Sequence, residues 1–218
     1  MKTKIYIHIA VMGHFNQIVA KLLDKINSCG LYDKADEINL NVCGDGSLLD
    51  IKKMPKYNIT NETHDIKKCE FPTLDKIWED SQTEKFKVLY LHTKGATHEE
   101  NDYRGNWIES LSYFNIEKWK DRITNLEHYD ISGLNYIKNP KGCPNKYVRQ
   151  SIRMIENSGQ YKKAKHYAGN FWWANSHHTK KLKKPSDLVL NNNYLKRRYI
   201  AEFWIGGKNP NAYAKNVD

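Results

Sequence analysis

The chain has 218 residues, a formal net charge of +10 and a mean hydropathy of -0.79, which fits one domain of generous size with a strongly polar surface. No apolar run approaches the roughly 20 residues of a membrane-spanning helix, and His8 interrupts the apolar start, so we expect neither a membrane span nor a signal peptide. The four cysteines lack short paired spacings, which predicts free thiols in a reducing, cytoplasmic compartment rather than a zinc site.

Positive charge is concentrated in one segment of the chain. Between Lys141 and Lys184 there are eleven Lys or Arg residues and one acidic residue, Glu156, whereas the remainder is balanced. A concentrated basic patch attracts phosphate groups on nucleic acids, nucleotides or lipid surfaces. A solvated lysine-rich face explains the same composition, so both interpretations stay open at this point.

The first 95 residues alternate between strand and helix patterns. The predicted elements are a strand at 4–12, a helix at 16–30 with Asn16 as its N-cap, strands at 38–42 and 57–60, a helix with Pro72 in its first turn, and a strand at 86–91. This alternation is typical of a parallel sheet in a layered α/β domain.

The second half begins with helical patterns and then becomes mixed. The predicted elements are helices within 102–126, a strand at 130–134, a helix at 148–155, an aromatic strand at 165–175, a helix at 194–204 and a mobile tail at 211–218. Neither repeats nor low-complexity linkers mark a second domain. We therefore expect a single domain over 1–218.

Polar residues follow the predicted strand at 86–91, where His92, Thr93 and Lys94 precede a glycine. Ligands of open α/β sheets bind at the carboxyl ends of strands, so these residues are the first functional candidates. Gly13 directly follows the first strand, which allows the backbone to approach a ligand closely at the start of a helix. An ordinary turn is the alternative interpretation of both segments.

The aromatic segment at 166–174 contains two adjacent tryptophans, Trp172 and Trp173. Neighbouring residues of a strand point to opposite faces, so one indole can enter the core while the other faces a cleft. An aromatic face beside the imidazole of His166 and the amide of Asn170 suits a sugar ring. The alternative is that both tryptophans belong to the core.

A single carboxylate, Glu202, lies within the otherwise apolar end of the last predicted helix. A carboxylate enclosed by aromatic residues has a raised pKa and can accept a proton from a hydroxyl group. The alternative is an ordinary ion pair with Arg197 or Arg198, which are close in sequence.

Four blocks of the sequence resemble, in order, those of a glycosyltransferase domain encoded by chlorella viruses, with related sequences in bacterial polysaccharide clusters. The blocks are Ile9-Ala10-Val11-Met12-Gly13-His14-Phe15, Tyr90-Leu91-His92-Thr93-Lys94-Gly95, His166 to Ala174, and Ala201 to Gly206. The resemblance spans nearly the whole chain. It implies a GT-A fold, an α/β domain with a mixed, mostly parallel central sheet flanked by helices.

The resemblance also implies a division of labour in a nucleotide-diphosphate-sugar transferase. Residues 1–95 would form the nucleotide-binding half and residues 96–210 the sugar and acceptor half. The implied substrate-binding residues are Ala10, Val11, Met12, Gly13, Thr63 and Asp65 for the nucleoside, Thr93 and Arg104 for the diphosphate, and His166, Asn170, Trp172 and Trp173 for the sugar and acceptor. The implied catalytic residues are Lys94, Glu202 and His92.

One feature departs from the family pattern. GT-A enzymes usually carry Asp-x-Asp, which holds a divalent metal ion, where this sequence has His92-Thr93-Lys94. Lysine does not bind a cation at neutral pH, but it offsets charge on a departing diphosphate. We hypothesise that Lys94, with Arg104, replaces the metal ion. The competing hypothesis is a manganese or magnesium ion bound through His92 and a distant carboxylate.

The expected activity is transfer of a sugar from a nucleotide-diphosphate donor, UDP being the expected nucleotide, to a carbohydrate hydroxyl. Lys94 would stabilise the leaving group. Glu202 would activate the acceptor or, if the reaction retains the anomeric configuration, orient the donor; the sequence does not distinguish retention from inversion. No specific nucleic-acid partner is expected. The expected setting is the cytoplasm of an infected host cell or of a bacterium. Two alternatives from other classes are a nucleic-acid-binding module that uses the basic patch, and a non-catalytic carbohydrate-binding domain.

Overall fold

A central β-sheet organises the fold. The computed structural model describes residues 1–45, 54–96, 102–138, 165–188 and 194–215, without the side chains of 102–105 and 194–197. The strands are β1 (Lys2–Ala10), β2 (Glu37–Cys43), β3 (Tyr57–Thr63), β4 (Phe86–His92), β5 (Ile131–Leu134), β6 (Tyr136–Ile137), β7 (His166–Tyr167), β8 (Trp172–Asn175) and β9 (Ala212–Lys215). Seven of them form one sheet in the order β3-β2-β1-β4-β8-β5-β9, and β6 pairs with β7 separately.

Only β8 runs against the other strands of this seven-stranded sheet. It pairs antiparallel with β4 on one side and β5 on the other, whereas the pairs β1–β2, β1–β4, β2–β3 and β5–β9 are parallel. The predicted α/β class, with a mixed and mostly parallel central sheet flanked by helices, is therefore confirmed.

Helices cover both faces of the sheet. They are α1 (Phe15–Ser28), α2 (Leu31–Lys34), α3 (Phe71–Thr83), α4 (Asp102–Ser112), α5 (Trp119–Asn125), α6 (Ser176–Lys181) and α7 (Tyr194–Phe203), and a π-helical turn (Tyr113–Glu117) connects α4 to α5. The N-cap of α1 is His14 rather than the predicted Asn16. The backbone N–H of His14 donates to the carbonyl of Ala96 at 3.0 Å. The helix therefore has its N-cap two residues earlier than expected.

Each face of the sheet has its own apolar core. Ile7 and Trp173 pack with residues of α1 and α4, whereas Tyr6 and Trp172 pack with residues of α3 and α7 on the opposite face. Full burial of one large apolar side chain contributes about 1.5–3 kcal/mol. Coverage of both faces explains why the inner strands read as nearly continuous apolar runs.

Two predictions for the second half are corrected by the structure. The aromatic segment is not one strand, because a turn with positive φ at Gly169 (84°) and Asn170 (56°) separates β7 from β8. The predicted tail contains β9, which pairs in parallel with β5. This four-residue strand has no strong periodicity of its own and depends on its neighbour.

Some sequence-based predictions lie outside the described residues. These include the helix predicted at 148–155, Cys143 and most of the basic patch between Lys141 and Lys184. Among the described cysteines, Cys29, Cys43 and Cys69 are free thiols, as predicted. None of the described helices combines the length and the apolar character required to cross a bilayer.

Candidate active site

The strand order of the sheet reverses at β1. The chain crosses from β1 through α1 to β2 on one side, and β4 lies on the other side of β1. At such a switch point the loops after the two central strands diverge and leave a crevice at their carboxyl ends. The strand order therefore predicts a crevice after Ala10 and after His92, where the main candidates of the sequence lie.

Thr93 connects the two strand ends. Its hydroxyl accepts a hydrogen bond from the N–H of Ala10 at 3.0 Å, and its own N–H donates to the carbonyl of His8 at 3.0 Å. The residue is 7% exposed. Its hydroxyl therefore helps to position the two strand ends, and its role in ligand binding stays a prediction.

The predicted nucleoside-binding residues lie together at one end of the crevice. Ala10, Val11 and Met12 are partly exposed, and Gly13 is exposed with a φ of 50°. The turn after β2 brings Thr63 beside them, because the N–H of Gly44 donates to the carbonyl of Thr63 at 2.8 Å.

The turn after β3 is equally close to the end of β1. A Cβ added to Gly44 would lie 3.1 Å from Val11 and 3.3 Å from Ile66, so three successive segments meet at this glycine. Asp65 is exposed, and its carboxylate accepts from the N–H of Lys67 at 2.9 Å, which caps a short 3₁₀ turn.

A cluster of ionisable residues lies at the other end, after β4. It combines Lys94 and His92 with Glu202 from α7, His166 from β7, and Glu70, the residue before α3. Lys94 is near enough to both carboxylates to oppose the rise of their pKa values, and to lower the pKa values of both histidines. Residues from β7, from α7 and from the start of α3 therefore meet Lys94 at the end of β4.

Glu70 is the member of this cluster that the sequence analysis missed. Its side chain is buried, and it accepts a hydrogen bond from the Asn170 amide. Burial is the main cause that raises the pKa of this carboxyl, against the lowering effects of Tyr90, Lys94 and Arg198. The sequence around Glu70 gave little indication of a functional role, because an acidic residue two positions before Pro72 is typical of the start of an ordinary helix.

His92 is a neutral imidazole in this setting. Burial, followed by the charge of Lys94, lowers its pKa to about 3. Its Nε2 lies 3.0 Å from the carbonyl oxygen of Gly169, so this nitrogen carries the proton and donates. The unprotonated Nδ1 faces Oε1 of Glu70 at 3.7 Å, an arrangement that favours a protonated Glu70 rather than an ion pair.

Glu202 agrees in part with both interpretations of the sequence. Burial raises its pKa and the charge of Glu70 adds to this effect, whereas Lys94 and Arg198 oppose it. The Nε of Arg198 lies 3.8 Å from Oε1 of Glu202, and the two side chains are 54% and 21% exposed. The carboxylate therefore has a distant cationic neighbour and a path to solvent. The side chains of Arg197 and Arg104 lie outside the description.

The aromatic segment contributes differently from the prediction. Trp172 and Trp173 are 1% and 0% exposed, so neither offers a ring face to a sugar. The reason is that β8 is an interior strand covered on both faces. Both amide atoms of Asn170 are engaged, because Oδ1 accepts from the Trp172 indole at 2.9 Å and Nδ2 donates to Glu70. Asn170 thus positions Glu70, and its contact with a substrate stays a prediction.

His166 stays at the edge of the cluster. Its ring packs edge-to-face against Phe203 with 4.6 Å between centroids, and burial together with Lys94 lowers its pKa to about 4. Its buried Nδ1 has no hydrogen-bond partner in the described part of the chain.

The donor set does not fit a divalent metal ion. The position that carries the second metal-binding Asp of the family pattern is Lys94, whose ammonium lies beside both carboxylates of the cluster. Within the described ranges, no group of three or more His, Cys, Asp and Glu side chains is arranged to bind a metal. We therefore derive no step through a metal ion.

A scan against protein-family models gives no match for this chain, and a search of curated proteins gives none either.

Proposed function

We propose that this protein is a glycosyltransferase of the GT-A type, which transfers a sugar from a nucleotide-diphosphate donor, with UDP as the nucleotide, to a carbohydrate hydroxyl. The observation that carries the proposal is the convergence of Lys94, Glu202 and Glu70 at the carboxyl end of β4, beside the end of β1. A cation and two carboxylates at a switch point provide the groups for leaving-group stabilisation and proton transfer.

The two ends of the crevice support different parts of the reaction. The partly exposed backbone from Ala10 to Gly13, with Thr63 beside it, supports binding of the nucleoside. Lys94 would offset the charge that develops on the departing diphosphate. Glu202, the more exposed of the two acids, would accept the proton of the attacking hydroxyl.

The burial of both tryptophans speaks against a non-catalytic carbohydrate-binding domain. Such a domain would use exposed aromatic rings as a stacking surface, and Trp172 and Trp173 do not provide one. The ionisable cluster at the crevice has no role in that alternative.

The test is a panel of nucleotide sugars assayed for hydrolysis and transfer, in excess chelator and with added manganese. We expect a UDP-sugar to be turned over in chelator. Lys94→Ala should lower kcat/KM about 100-fold or more, as loss of one electrostatic stabiliser does. The matched control is Lys85→Ala, an exposed lysine just before the opposite end of the same strand, which should leave turnover unchanged.

Thermal unfolding of the same variants distinguishes catalysis from folding. Lys94 is partly exposed at a strand end, so its replacement should change the melting temperature little. Equal losses of turnover and stability in Lys94→Ala would show that Lys94 has a structural role. Strict dependence of turnover on manganese would show that Lys94 does not replace a metal ion. Absence of nucleotide binding by calorimetry would refute the proposed function.

A further inference from the structure

A cavity of ≈ 560 Å³ lies beside the π-helical turn, between α5 and β9, and shares no residue with the candidate active site. Its lining carries three cations, Lys118, Arg122 and Lys215, against one acid, Asp121. The size suits a small molecule, within the usual range of ligand pockets. The cavity is therefore a second candidate binding site with an excess of positive charge.

Arg122 is buried without a carboxylate partner. It is 3% exposed, and no Asp or Glu oxygen of the described chain lies within 4.0 Å of its guanidinium. Among the described residues its NH1 makes two long contacts, 3.5 Å to the Ser132 hydroxyl and 3.4 Å to the Gly133 carbonyl. Its Nε is buried with no hydrogen bond inside the described ranges.

Such an arrangement is unfavourable unless an anion completes it. A buried charge is costly when it lacks a partner, and the burial of Arg122 is the main cause that lowers its pKa. The planar guanidinium is the side chain that best binds carboxylate and phosphate oxygens in pairs. Because Arg122 also lines the cavity, its positive charge favours an anionic group there.

The remaining walls match a sugar ring. Tyr113, which is 38% exposed, and Tyr213 contribute aromatic faces, and Thr124 and Asn125 contribute hydroxyl and amide groups. The guanidinium of Arg122 lies 5.4 Å from the Tyr213 ring centroid, and Lys118 lies 5.2 Å from that of Tyr113. A positive charge therefore lies beside each of the two tyrosine rings, Arg122 beside Tyr213 and Lys118 beside Tyr113.

The π-helical turn that forms one wall is held in place from the core. The indole N–H of Trp173 donates to the carbonyl of Asn115, in the middle of the turn, at 2.8 Å. Turns of this kind recur at functional sites because they break the regular helix ladder. The wall is thus fixed before any ligand arrives.

We propose that this cavity binds a small anionic sugar, a sugar phosphate or a uronic acid, with its anionic group on Arg122 and its ring against the tyrosines. Lys118 and Lys215 add attraction at the mouth, where both are exposed. The site does not depend on the proposed glycosyltransferase activity.

The test is titration calorimetry of the full chain with four probes. Glucose 6-phosphate and glucuronate differ in the anionic group, glucose lacks it, and inorganic phosphate lacks the ring. We expect at least one anionic sugar to bind about 30-fold or more tightly than glucose and than phosphate. Comparing the two anionic sugars identifies whether phosphate or carboxylate is preferred. The proposal would be overturned if glucose or inorganic phosphate bound as tightly as the anionic sugars. It would also be overturned if neither anionic sugar bound at millimolar concentration.

Variants locate the binding to this cavity. Arg122→Gln should weaken the anionic sugar about tenfold or more. Because a buried substitution can prevent folding, a second variant combines Lys118→Gln with Lys215→Gln at exposed positions and should weaken binding about threefold to tenfold. Lys120→Gln is the matched control, an exposed lysine of α5 that does not line the cavity.

The control variant should bind as the unmodified chain does, and saturating UDP should not displace the sugar. An equal loss in Lys120→Gln, or displacement by UDP, would show that the anionic sugar binds elsewhere.

Discussion

Mild acid should destabilise this protein through histidines that are buried without charge. His8 and His178 are 3% and 2% exposed. Burial is the main cause that lowers their pKa values, to about 3 for His8 and about 4 for His178. The Nε2 of His178 donates to the carbonyl of Ile205 at 2.8 Å, which places the proton of the neutral ring on Nε2.

The size of the effect follows from proton linkage. An unfolded histidine titrates near pH 6.5, so below that pH the unfolded chain binds protons that the folded chain excludes until its own lower pKa is reached. Stability therefore falls as the pH falls through this window. From pH 7 to pH 5 each of the two histidines lowers the free energy of unfolding by about 2 kcal/mol, a large fraction of the roughly 5–15 kcal/mol of an ordinary domain.

The measurement compares urea unfolding of the unmodified chain and of His178→Gln at pH 7 and pH 5. The glutamine amide can still donate to the Ile205 carbonyl but takes up no proton. The difference in unfolding free energy between the two pH values should shrink by about 2 kcal/mol in the variant. The charges of Asp130, His177 and Lys181, which influence His178, are the same in both proteins.

The raised pKa values of Glu70 and Glu202 act with the opposite sign, because protonation of these acids at lower pH favours the folded state. They are present in both proteins and cancel from the comparison. If His178→Gln kept the full pH dependence of the unmodified chain, the buried neutral imidazole would not be the cause.

Two further predictions concern the cluster and its support. Glu70→Gln keeps the uncharged state that we infer for Glu70 and its side-chain volume, so transfer by the proposed enzyme should change less than about threefold while the urea midpoint stays or rises; a loss of transfer of about 100-fold would show that an ionised Glu70 is required. In Gly206→Ala the new Cβ would lie 1.9 Å from the carbonyl oxygen of Lys165, which should lower the free energy of unfolding by about 3 kcal/mol. Gly30→Ala, where no atom lies within 4 Å and only the φ of 77° is strained, should cost about 1 kcal/mol, and equal losses would contradict the steric argument.

The strands of the first half could be predicted from the sequence because their information is local. Alternating or continuous apolar residues ended by Gly13 and Gly44 predict buried strands, and β1, β2 and β4 follow those limits closely. The parallel pairing is implied by the helix between β1 and β2. The same local logic fails for β9, whose residues pair with β5 only because the chain returns there.

The functional cluster shows the limit of local reasoning more sharply. Lys94 was identifiable because it directly follows a buried strand. Glu70 lies 24 positions earlier in the numbering and reaches the cluster only because α3 packs beneath the sheet, where Asn170 holds its carboxylate. The burial of both tryptophans could not be predicted for a related reason. Only the strand order reveals that β8 is an interior strand, with both of its faces covered.

The charge balance at the end of β4 assigns different protonation states to the two carboxylates. Lys94 and Arg198 carry two positive charges, and Glu70 and Glu202 would cancel them if both were ionised. A diphosphate that enters this crevice adds negative charge and raises both carboxyl pKa values further. We expect the proton on Glu70, because its side chain is more buried than that of Glu202 and faces the unprotonated Nδ1 of His92. With Glu70 neutral, the cations exceed the anions by one charge, so in the proposed reaction Lys94 would attract the diphosphate while Glu202 would remain ionised as the base.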